Sequence, residues 1–287
     1  MSTIPSLQKI LVALDGSAES MVALETAVSL AAAHQAEVIG LFVEDINLLR
    51  LAELPFSREI VLTSADANNL NSQHMSQQLR AQANRAEQAL HTAGEEAHVL
   101  TSFRRVRGHV PLSVVTASMN VDLLVLGRVS RPLTRQRRLG STAQAALRQP
   151  ARAVLLTGKM AGTPPAVFVV FDGSEMGGQA LRQAVAVTAP ASTITVVLTG
   201  GDEKDVERWQ RETAVWLQKH HRLATYRHLP TGNITQLAAL ARQEQCDLLV
   251  LGSHILPKNT EEAATVLASL ECALLLIRAG ENNKNDQ

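Results

Sequence analysis

The sequence predicts an α/β protein of two tandem domains, each a doubly wound, five-stranded parallel sheet. The first observation is an internal repeat, because KILVALDGS (Lys9–Ser17) returns as VFVVFDGS (Val167–Ser174). The second is that the expected strands, such as VDLLVLG (Val121–Gly127) and CDLLVLG (Cys246–Gly252), are continuously apolar, which is typical of parallel strands covered on both faces. The third is that these strands alternate with helical stretches, which implies right-handed crossovers.

The strands of the first copy are predicted where short apolar runs are flanked by polar or turn-forming residues. They are Ile10–Leu14, Glu37–Val43, His98–Phe103, Asp122–Leu126 and Arg152–Leu156.

The helices of the first copy are predicted between these strands. The first begins after Ser17, a residue type that caps helices well. The second is long and places Met75, Leu79, Ala86 and Leu90 on one side. Two shorter helices are expected at Leu112–Met119 and Ser141–Arg148.

The repeat also predicts the domain boundaries. Domain 1 spans residues 1–157 and domain 2 spans residues 166–279. Residues 158–165 (GKMAGTPP) form the linker, because they contain two glycines and two prolines between apolar strands. Residues 280–287 (GENNKNDQ) contain no apolar residue and are expected to be a disordered tail.

The last strand of each domain is expected to join the two domains. LRQPARAVLL (Leu147–Leu156) returns as LASLECALLL (Leu267–Leu276), so both domains end on an apolar edge strand. We predict that Arg152–Leu156 and Ala273–Ile277 pack the domains as a pseudo-dimer within one chain.

Composition and charge limit the classes of partner. The net charge is zero and aromatic residues make up only 3%, which argues against a nucleic-acid or anionic-membrane binder. The two cysteines, Cys246 and Cys272, are too few for a disulfide framework and indicate a reducing compartment. The N-terminus lacks an apolar signal core, and no apolar run reaches membrane-spanning length. We expect a cytoplasmic protein, with further protein partners and homo-oligomers left open.

Two places in domain 1 could bind a ligand, since doubly wound sheets bind ligands at the carboxyl ends of strands, near the point where strand order reverses. Strand one ends in Asp15-Gly16-Ser17, and strand four ends in Gly127. Gly140-Ser141-Thr142 then opens a helix, whose free backbone amides attract phosphate. Each feature also has a structural explanation: a helix cap for Asp15, a tight turn for Gly127 and a simple cap for Gly140-Ser141.

The spacing of these residues resembles a known signature. Gly127-(two residues)-Ser130-(nine residues)-Gly140-Ser141 is similar to the ATP-binding signature Gly-2x-Gly-9x-Gly-(Ser/Thr) of the universal stress protein family. LVALDGS, LFVED and DLLVLG are also similar to that family, and the resemblance covers nearly the whole chain as two tandem domains. It implies the flavodoxin-like fold of the adenine nucleotide alpha hydrolase type.

The resemblance implies an ATP site in domain 1, with or without Mg²⁺. Asp15 would lie near the ribose, Val43 would offer its backbone to the adenine, and Gly127 would lie under the sugar. The implied nucleotide-binding set is Ala13, Asp15, Val43, Gly127, Arg128, Ser130, Gly140, Ser141 and Thr142, of which the last five would line the phosphates. Ser130 departs from the signature, which has glycine there.

Two further segments of domain 1 have open interpretations. Arginines 128, 131, 135, 137 and 138 form either a solvated surface or a cluster that neutralises a polyanion. Residues 48–64 have no counterpart in domain 2 and could form a lid or a partner surface.

Domain 2 departs much further from the signature. It keeps Asp172 and Gly252, but Thr260-Glu261 stands where domain 1 has Gly140-Ser141. A glutamate at a phosphate-binding helix start repels the ligand, so we predict that domain 2 does not hold ATP in the family manner.

The function that the resemblance implies is stress-response regulation. Nucleotide occupancy in domain 1 would order the arginine-rich loop, and domain 2 would be a degenerate structural or signalling partner. The alternative is a nucleotide-free scaffold acting through protein contacts, and slow ATP hydrolysis is a weaker possibility. No nucleophile–base pair or metal-ligand spacing stands out, so we expect no catalytic or metal site and no primary enzymatic role.

Overall fold

The computed structural model describes residues 4–52, 58–60, 67–69, 72–128, 139–148, 152–158 and 164–278. The strands are β1 (Lys9–Ala13), β2 (Glu37–Asp45), β3 (Arg58–Ile60), β4 (Ala67–Asn69), β5 (Thr101–Gly108), β6 (Leu123–Gly127), β7 (Ala153–Thr157), β8 (Ala166–Phe171), β9 (Thr193–Thr199), β10 (Ala224–Leu229), β11 (Leu248–Gly252) and β12 (Ala273–Ile277). The helices are α1 (Ala18–His34), α2 (Ile46–Ala52), α3 (Ser72–Ala97), α4 (Val110–Ser118), α5 (Ser141–Arg148), α6 (Glu175–Ala186), α7 (Glu203–Lys219), α8 (Ile234–Gln243) and α9 (Thr260–Ser269), with a 3-10 turn at Ser253–Ile255. Residues up to 158 are called the first half and residues from 164 the second half.

Ten of these strands form one continuous sheet in the order β10-β9-β8-β11-β12-β7-β6-β1-β2-β5. Each half contributes five mutually parallel strands. Strand order reverses between β1 and β6 in the first half and between β8 and β11 in the second. The predicted pair of doubly wound parallel sheets is therefore confirmed.

The two halves meet at an antiparallel seam between β7 and β12. Leu156 is in register with Leu274, and Ala153 with Ile277. The predicted pairing of these two edge strands is confirmed. Because the seam is antiparallel, the carboxyl end of β7 lies beside the amino end of β12.

The sheet is covered on both faces by helices, which accounts for the continuously apolar strands. Side chains from β1 alternate between the two sides: Ile10 and Val12 pack in one apolar cluster and Leu11 in the other. Helices α1, α3, α6 and α7 cover the first face, and α4, α5, α8 and α9 cover the second. The result is a three-layer sandwich that runs through both halves.

The third strand of the first half differs from its prediction at His98–Phe103. Helix α3 runs to Ala97, His98 has a left-handed backbone (φ +55°), and β5 then continues to Gly108. β5 is an edge strand, and its later residues, such as Arg104 and Arg105, are not buried. An apolar run therefore locates only the start of an edge strand, since charged residues are tolerated and even favoured there.

The segment 48–64 is partly visible as structure. It includes most of α2, and β3 pairs antiparallel with β4 outside the main sheet. The expectation of a lid or partner surface falls partly on residues outside the described ranges, as do most of the linker and the tail 280–287.

Candidate functional site

A cavity of about 730 Å³ opens at the carboxyl ends of β1, β2 and β6, at the point where strand order reverses in the first half. The structure brings together most of the residues predicted from the sequence along its wall: Ala13, Asp15, Val43, Gly127, Ser141 and Thr142. Gly140 and Arg128 lie close by in the chain but have other contacts, and Ser130 lies outside the described residues.

Asp15 shapes the turn between β1 and α1. Its Oδ1 accepts hydrogen bonds from the backbone N–H (2.9 Å) and the hydroxyl (2.5 Å) of Ser17. Ser17 in turn caps α1 by accepting from the N–H of Ser20 at 3.1 Å, as predicted. The second oxygen of Asp15, Oδ2, accepts no hydrogen bond from any described residue and belongs to a cavity-lining side chain. Asp15 can therefore hold the turn through Oδ1 and still contact a ligand through Oδ2.

Gly16 lies between them with φ of +76°, a conformation that glycine adopts without strain. Apart from its two chain neighbours, no described residue has an atom within 4 Å of the position that a Cβ would take. Within the described part of the chain, the turn is thus open on its outer side.

Val43 lies where β2 loses its neighbour. β1 ends at Ala13, which is in register with Leu41, whereas β2 continues to Asp45. The backbone of Val43 therefore has no strand beside it on the β1 side, and its other side pairs with Val106 of β5. This missing neighbour creates part of the cavity.

Gly127 ends β6 against the start of α1. A Cβ at this position would lie 2.9 Å from the carbonyl carbon of Glu19 and 3.0 Å from its Cβ. The close approach of α1 is enough to require glycine, whether or not a ligand is present. Neither a tight turn nor a ligand is needed to explain it.

The start of α5 forms the opposite end of the cavity. Ser141 and Thr142, its first two residues, line the wall. The N–H of Gly140 donates to the carbonyl of Arg128 at 3.2 Å, so it is already used within the protein. Arginines 131, 135, 137 and 138 lie outside the described residues.

Arg128, which is predicted to line the phosphates, reaches the second half. Its guanidinium donates to the carbonyl oxygens of Leu270 and Cys272, which belong to the second half. The antiparallel seam explains this placement, because it brings the turn before β12 next to the carboxyl end of the first half's strands. A sequence motif within one domain carries no information about that neighbour.

The far wall of the cavity comes from residues that the sequence analysis did not select. They are Asn47 and Leu48 of α2, Leu79 and Gln82 of α3, and His109 to Leu112 at the start of α4. The amide of Asn47 lies 3.4 Å from Nδ1 of His109. His109 could have been found, since it follows the carboxyl end of β5 and parallel strands end at the same edge. Leu79 was assigned only to a helix face, because periodicity does not separate core from cavity wall.

Comparison of the sequence with models of known protein families identifies the family of this chain. A model of the universal stress protein family matches residues 6–157, more than half of the chain. The chain belongs to the universal stress protein family. No curated protein shows significant similarity to it.

Solved structures of universal stress proteins and related chains share this fold. A universal stress protein from Archaeoglobus fulgidus DSM 4304 is 14% identical with a TM-score of 0.69, covering 95% of this chain and 98% of that one. A functionally unknown protein from Pseudomonas aeruginosa PAO1 is 15% identical with a TM-score of 0.62, covering 95% and 93%. A universal stress protein solved in complex with cAMP covers 54% of this chain and 100% of its own, at 21% identity and a TM-score of 0.39. Likeness at these identities shows the fold alone, and that conclusion rests on the first two structures, whose TM-scores are 0.69 and 0.62.

The second half repeats the universal stress protein turn but fills the space above it. Asp172 Oδ1 accepts from the N–H (3.1 Å) and the hydroxyl (2.5 Å) of Ser174, as Asp15 does from Ser17. Its Oδ2, however, lies 2.5 Å from Nε2 of His254, whose Nδ1 lies 3.1 Å from the sulfur of Met176. Burial raises the pKa of Asp172, but hydrogen bonds from Ser174 and His254 outweigh it and hold this pKa below its usual value.

Two other features close the second half's crevice. A Cβ at Gly173 would overlap the indole of Trp209, which is 9% exposed. At the start of α9, the side chain of Asn259 accepts from the N–H of Glu261 at 3.0 Å, and Glu261 and Glu262 both lie in the first turn. An anion at this helix start would meet carboxylates instead of open amides.

Two further observations limit the chemistry. Across the described ranges, no group of three or more His, Cys, Asp or Glu side chains could hold a metal ion. None of the helices in these ranges is both long and apolar enough to cross a membrane.

Proposed function

We propose that the first half binds an adenine nucleotide, ATP with or without Mg²⁺, and that the protein acts as a regulator in the stress response. The observation that carries this proposal is the cavity at the carboxyl ends of β1, β2 and β6, which gathers Asp15, Val43, Ser141 and Thr142. We infer no primary enzymatic role.

The cavity suits the three parts of a nucleotide. Its volume of about 730 Å³ lies within the range of about 300–1,000 Å³ typical of small-molecule sites. Leu48, Leu79 and Leu112 offer an apolar wall to the base. Oδ2 of Asp15 can accept from ribose hydroxyls, and the start of α5 can donate backbone N–H groups to phosphate.

We propose that the second half holds no nucleotide and is a structural or signalling partner. His254 pairs with Oδ2 of Asp172, whereas Oδ2 of Asp15 accepts no hydrogen bond from the residues that the structure describes. Trp209 covers the turn, and Glu261 places a negative charge at the helix start.

The alternative is a nucleotide-free scaffold that acts through protein contacts. The observation that favours it is the placement of Arg128, which donates to carbonyls of the second half and does not line the cavity. The departure at Ser130 favours it too, because the signature has glycine there.

A matched pair of charge variants tests the proposal. The protein is purified without added nucleotide, denatured, and its supernatant is analysed by ion-exchange chromatography with mass detection; ATP affinity is then measured by calorimetry. Ser141→Glu imitates Glu261, and we expect it to weaken ATP binding at least about tenfold, because like charges about 4 Å apart repel by more than 1 kcal/mol away from bulk water. Glu261→Ser in the second half is the control and should leave the affinity unchanged.

The other outcomes distinguish the alternatives. A wild-type protein that carries no nucleotide and shows no heat with millimolar ATP would support the scaffold. Binding that is weakened by a change at Glu261 but not at Ser141 would move the site to the second half and contradict the proposal.

A further inference from the structure

The two cysteines of the chain lie together at the amino ends of neighbouring strands. Cys246 stands just before β11 and Cys272 directly before β12. Both side chains are buried, at 8% and 6% exposure, and both belong to the same apolar cluster. Both residues line the same two cavities, so the two side chains border a shared space.

The strand register brings the two cysteines to the same edge of adjacent strands. Leu248 is in register with Ala273, and the N–H of Ala273 donates to the carbonyl of Asp247 at 2.8 Å. Cys272 is the residue before Ala273, and Cys246 is the residue before Asp247. Adjacent strands lie about 4.8 Å apart and disulfides join Cα atoms about 4.4–6.8 Å apart, so neighbouring strand ends lie within the range of a disulfide.

We propose that Cys246 and Cys272 form a peroxide-sensitive dithiol, a modification site that is distinct from the nucleotide cavity. The thiolate of Cys272 attacks one oxygen of hydrogen peroxide, which gives a sulfenic acid and releases hydroxide. The thiol of Cys246 then attacks that sulfur, and the proton from Cys246 leaves with the departing oxygen as water. Overall, two thiols and one hydrogen peroxide give one disulfide and two waters, so the sulfurs are oxidised and the peroxide is reduced.

The surroundings distinguish the attacking thiol from the resolving one. The guanidinium of Arg128 donates to the backbone carbonyl of Cys272. A hydrogen bond from Cys246 and the charge of Arg128 lower the pKa of Cys272, whereas the hydrogen bond with Cys272 and burial raise the pKa of Cys246. Since Arg128 contacts the backbone of Cys272 and the thiolate is the nucleophile, Cys272 is assigned as the attacking thiol.

A small oxidant has space to reach the pair. Two cavities, of about 140 and 290 Å³, are each lined by both cysteines. The larger is bounded by residues of α8 such as Ala238 and Arg242, and the smaller by residues of α1 such as Thr26 and Leu30. A single water needs roughly 10–15 Å³ measured by a water-sized sphere, so hydrogen peroxide fits either space.

The seam gives this site a connection to the first half. Arg128 follows Gly127 at the edge of the nucleotide cavity, and its side chain is held by the carbonyls of Leu270 and Cys272. A disulfide from Cys272 to Cys246 would form in the turn that carries those carbonyls. The chemistry of the dithiol itself does not depend on whether a nucleotide binds.

The test is oxidation of the reduced full-length protein by hydrogen peroxide, followed by alkylation and mass spectrometry without reductant. We expect wild type to lose two hydrogen atoms, to resist alkylation and to yield one peptide pair linked through Cys246 and Cys272. In Cys246→Ser, a dimedone-type probe should label Cys272. In Cys272→Ser, we expect Cys246 to react severalfold more slowly, because Arg128 contacts Cys272 and burial raises the pKa of Cys246.

Variants of nearby arginines test the role of Arg128. Arg128→Met should slow the labelling of Cys272, whereas Arg242→Met, which alters a cavity wall near both cysteines, should not. If a serine variant loses its fold by circular dichroism, the alanine variant takes its place. Two alkylatable thiols in peroxide-treated wild type, or oxidation to sulfinic acid without a disulfide, would overturn the proposal. Labelling of Cys246 in place of Cys272 would overturn the assignment of the attacking thiol.

Discussion

The first and second halves share one backbone turn and use it differently. Gly16 and Gly173 have φ of +76° and +75°, and Asp15 and Asp172 each accept two hydrogen bonds from the serine that caps the next helix. No described residue fills the space above the turn at Gly16, whereas Trp209 fills it at Gly173.

This difference teaches that the Asp-Gly-Ser motif is maintained by the turn itself. The motif survives in the second half although His254 pairs with the second oxygen of Asp172. Whether the space above the turn is filled is therefore decided by side chains that come from other elements, such as α7 and the turn after β11.

The largest expected effect is the difference in stability lost when Gly173 or Gly16 is replaced by alanine. Gly173→Ala places a methyl group against the Trp209 ring in addition to straining the backbone, whereas Gly16→Ala only strains it. The strain costs roughly 1–2 kcal/mol and overpacking adds roughly 1–3 kcal/mol. We expect Gly173→Ala to lower the free energy of unfolding by at least about 1 kcal/mol more than Gly16→Ala, as measured by urea denaturation.

Trp209→Ala in combination with Gly173→Ala sharpens this comparison. In the Trp209→Ala background the indole is absent. Gly173→Ala should then lower the free energy of unfolding only as much as Gly16→Ala does in wild type. Equal costs for both glycines in the wild-type background would mean that Trp209 does not cover the turn.

A smaller effect is expected in how stability depends on pH, through Asp172 of the second half. The pKa of Asp172 is lower folded than unfolded, so its contribution to stability is present above the unfolded pKa of about 3.9 and is lost as the pH falls through the folded value. Between about pH 5 and pH 3, the free energy of unfolding should fall more steeply in wild type than in Asp172→Asn.

His254→Gln is the companion variant, because it removes one of the groups that lower the pKa of Asp172. Its pH profile should lie between those of wild type and Asp172→Asn. Identical slopes for all three proteins would show that the carboxylate gains nothing from its contacts in the folded state.

The smallest expected effect is the difference in stability contributed by the ion pairs at the two edge strands, β5 and β10. Glu44 pairs with Arg105 (2.7 Å) and Arg107 (2.9 Å) and its side chain is only 10% exposed, whereas Glu244 pairs with Arg227 alone and is 28% exposed. Burial raises the pKa of Glu44, but the hydrogen bonds from Arg107 and Arg105 outweigh it and lower this pKa. We expect Glu44→Gln to cost about 1 kcal/mol and Glu244→Gln less than about 0.5 kcal/mol by thermal or urea unfolding. A larger cost at Glu244 would contradict this ranking.

Much of the fold could be predicted because its signals are local. The repeated apolar runs located the central strands, Ser17 was identified as a cap from its position, and α5 was predicted at its observed bounds. The edge strand β5 was misplaced because arginines interrupt its apolar pattern. The predicted site residues lie on the cavity wall formed by β1, β2, β6 and the start of α5, and none of them comes from α2, α3 or α4.

The sequence by itself determined the two doubly wound sheets, the capped turns and the seam strands, because each depends on the periodicity and residue types of a short segment. Only the tertiary structure decided that Arg128 contacts the second half, that Trp209 and His254 close one crevice, and that Cys246 adjoins Cys272. These contacts join residues far apart in the chain, and their partners are set by how strands assemble across the sheet. A pattern within one segment does not specify which distant side chain lies above it.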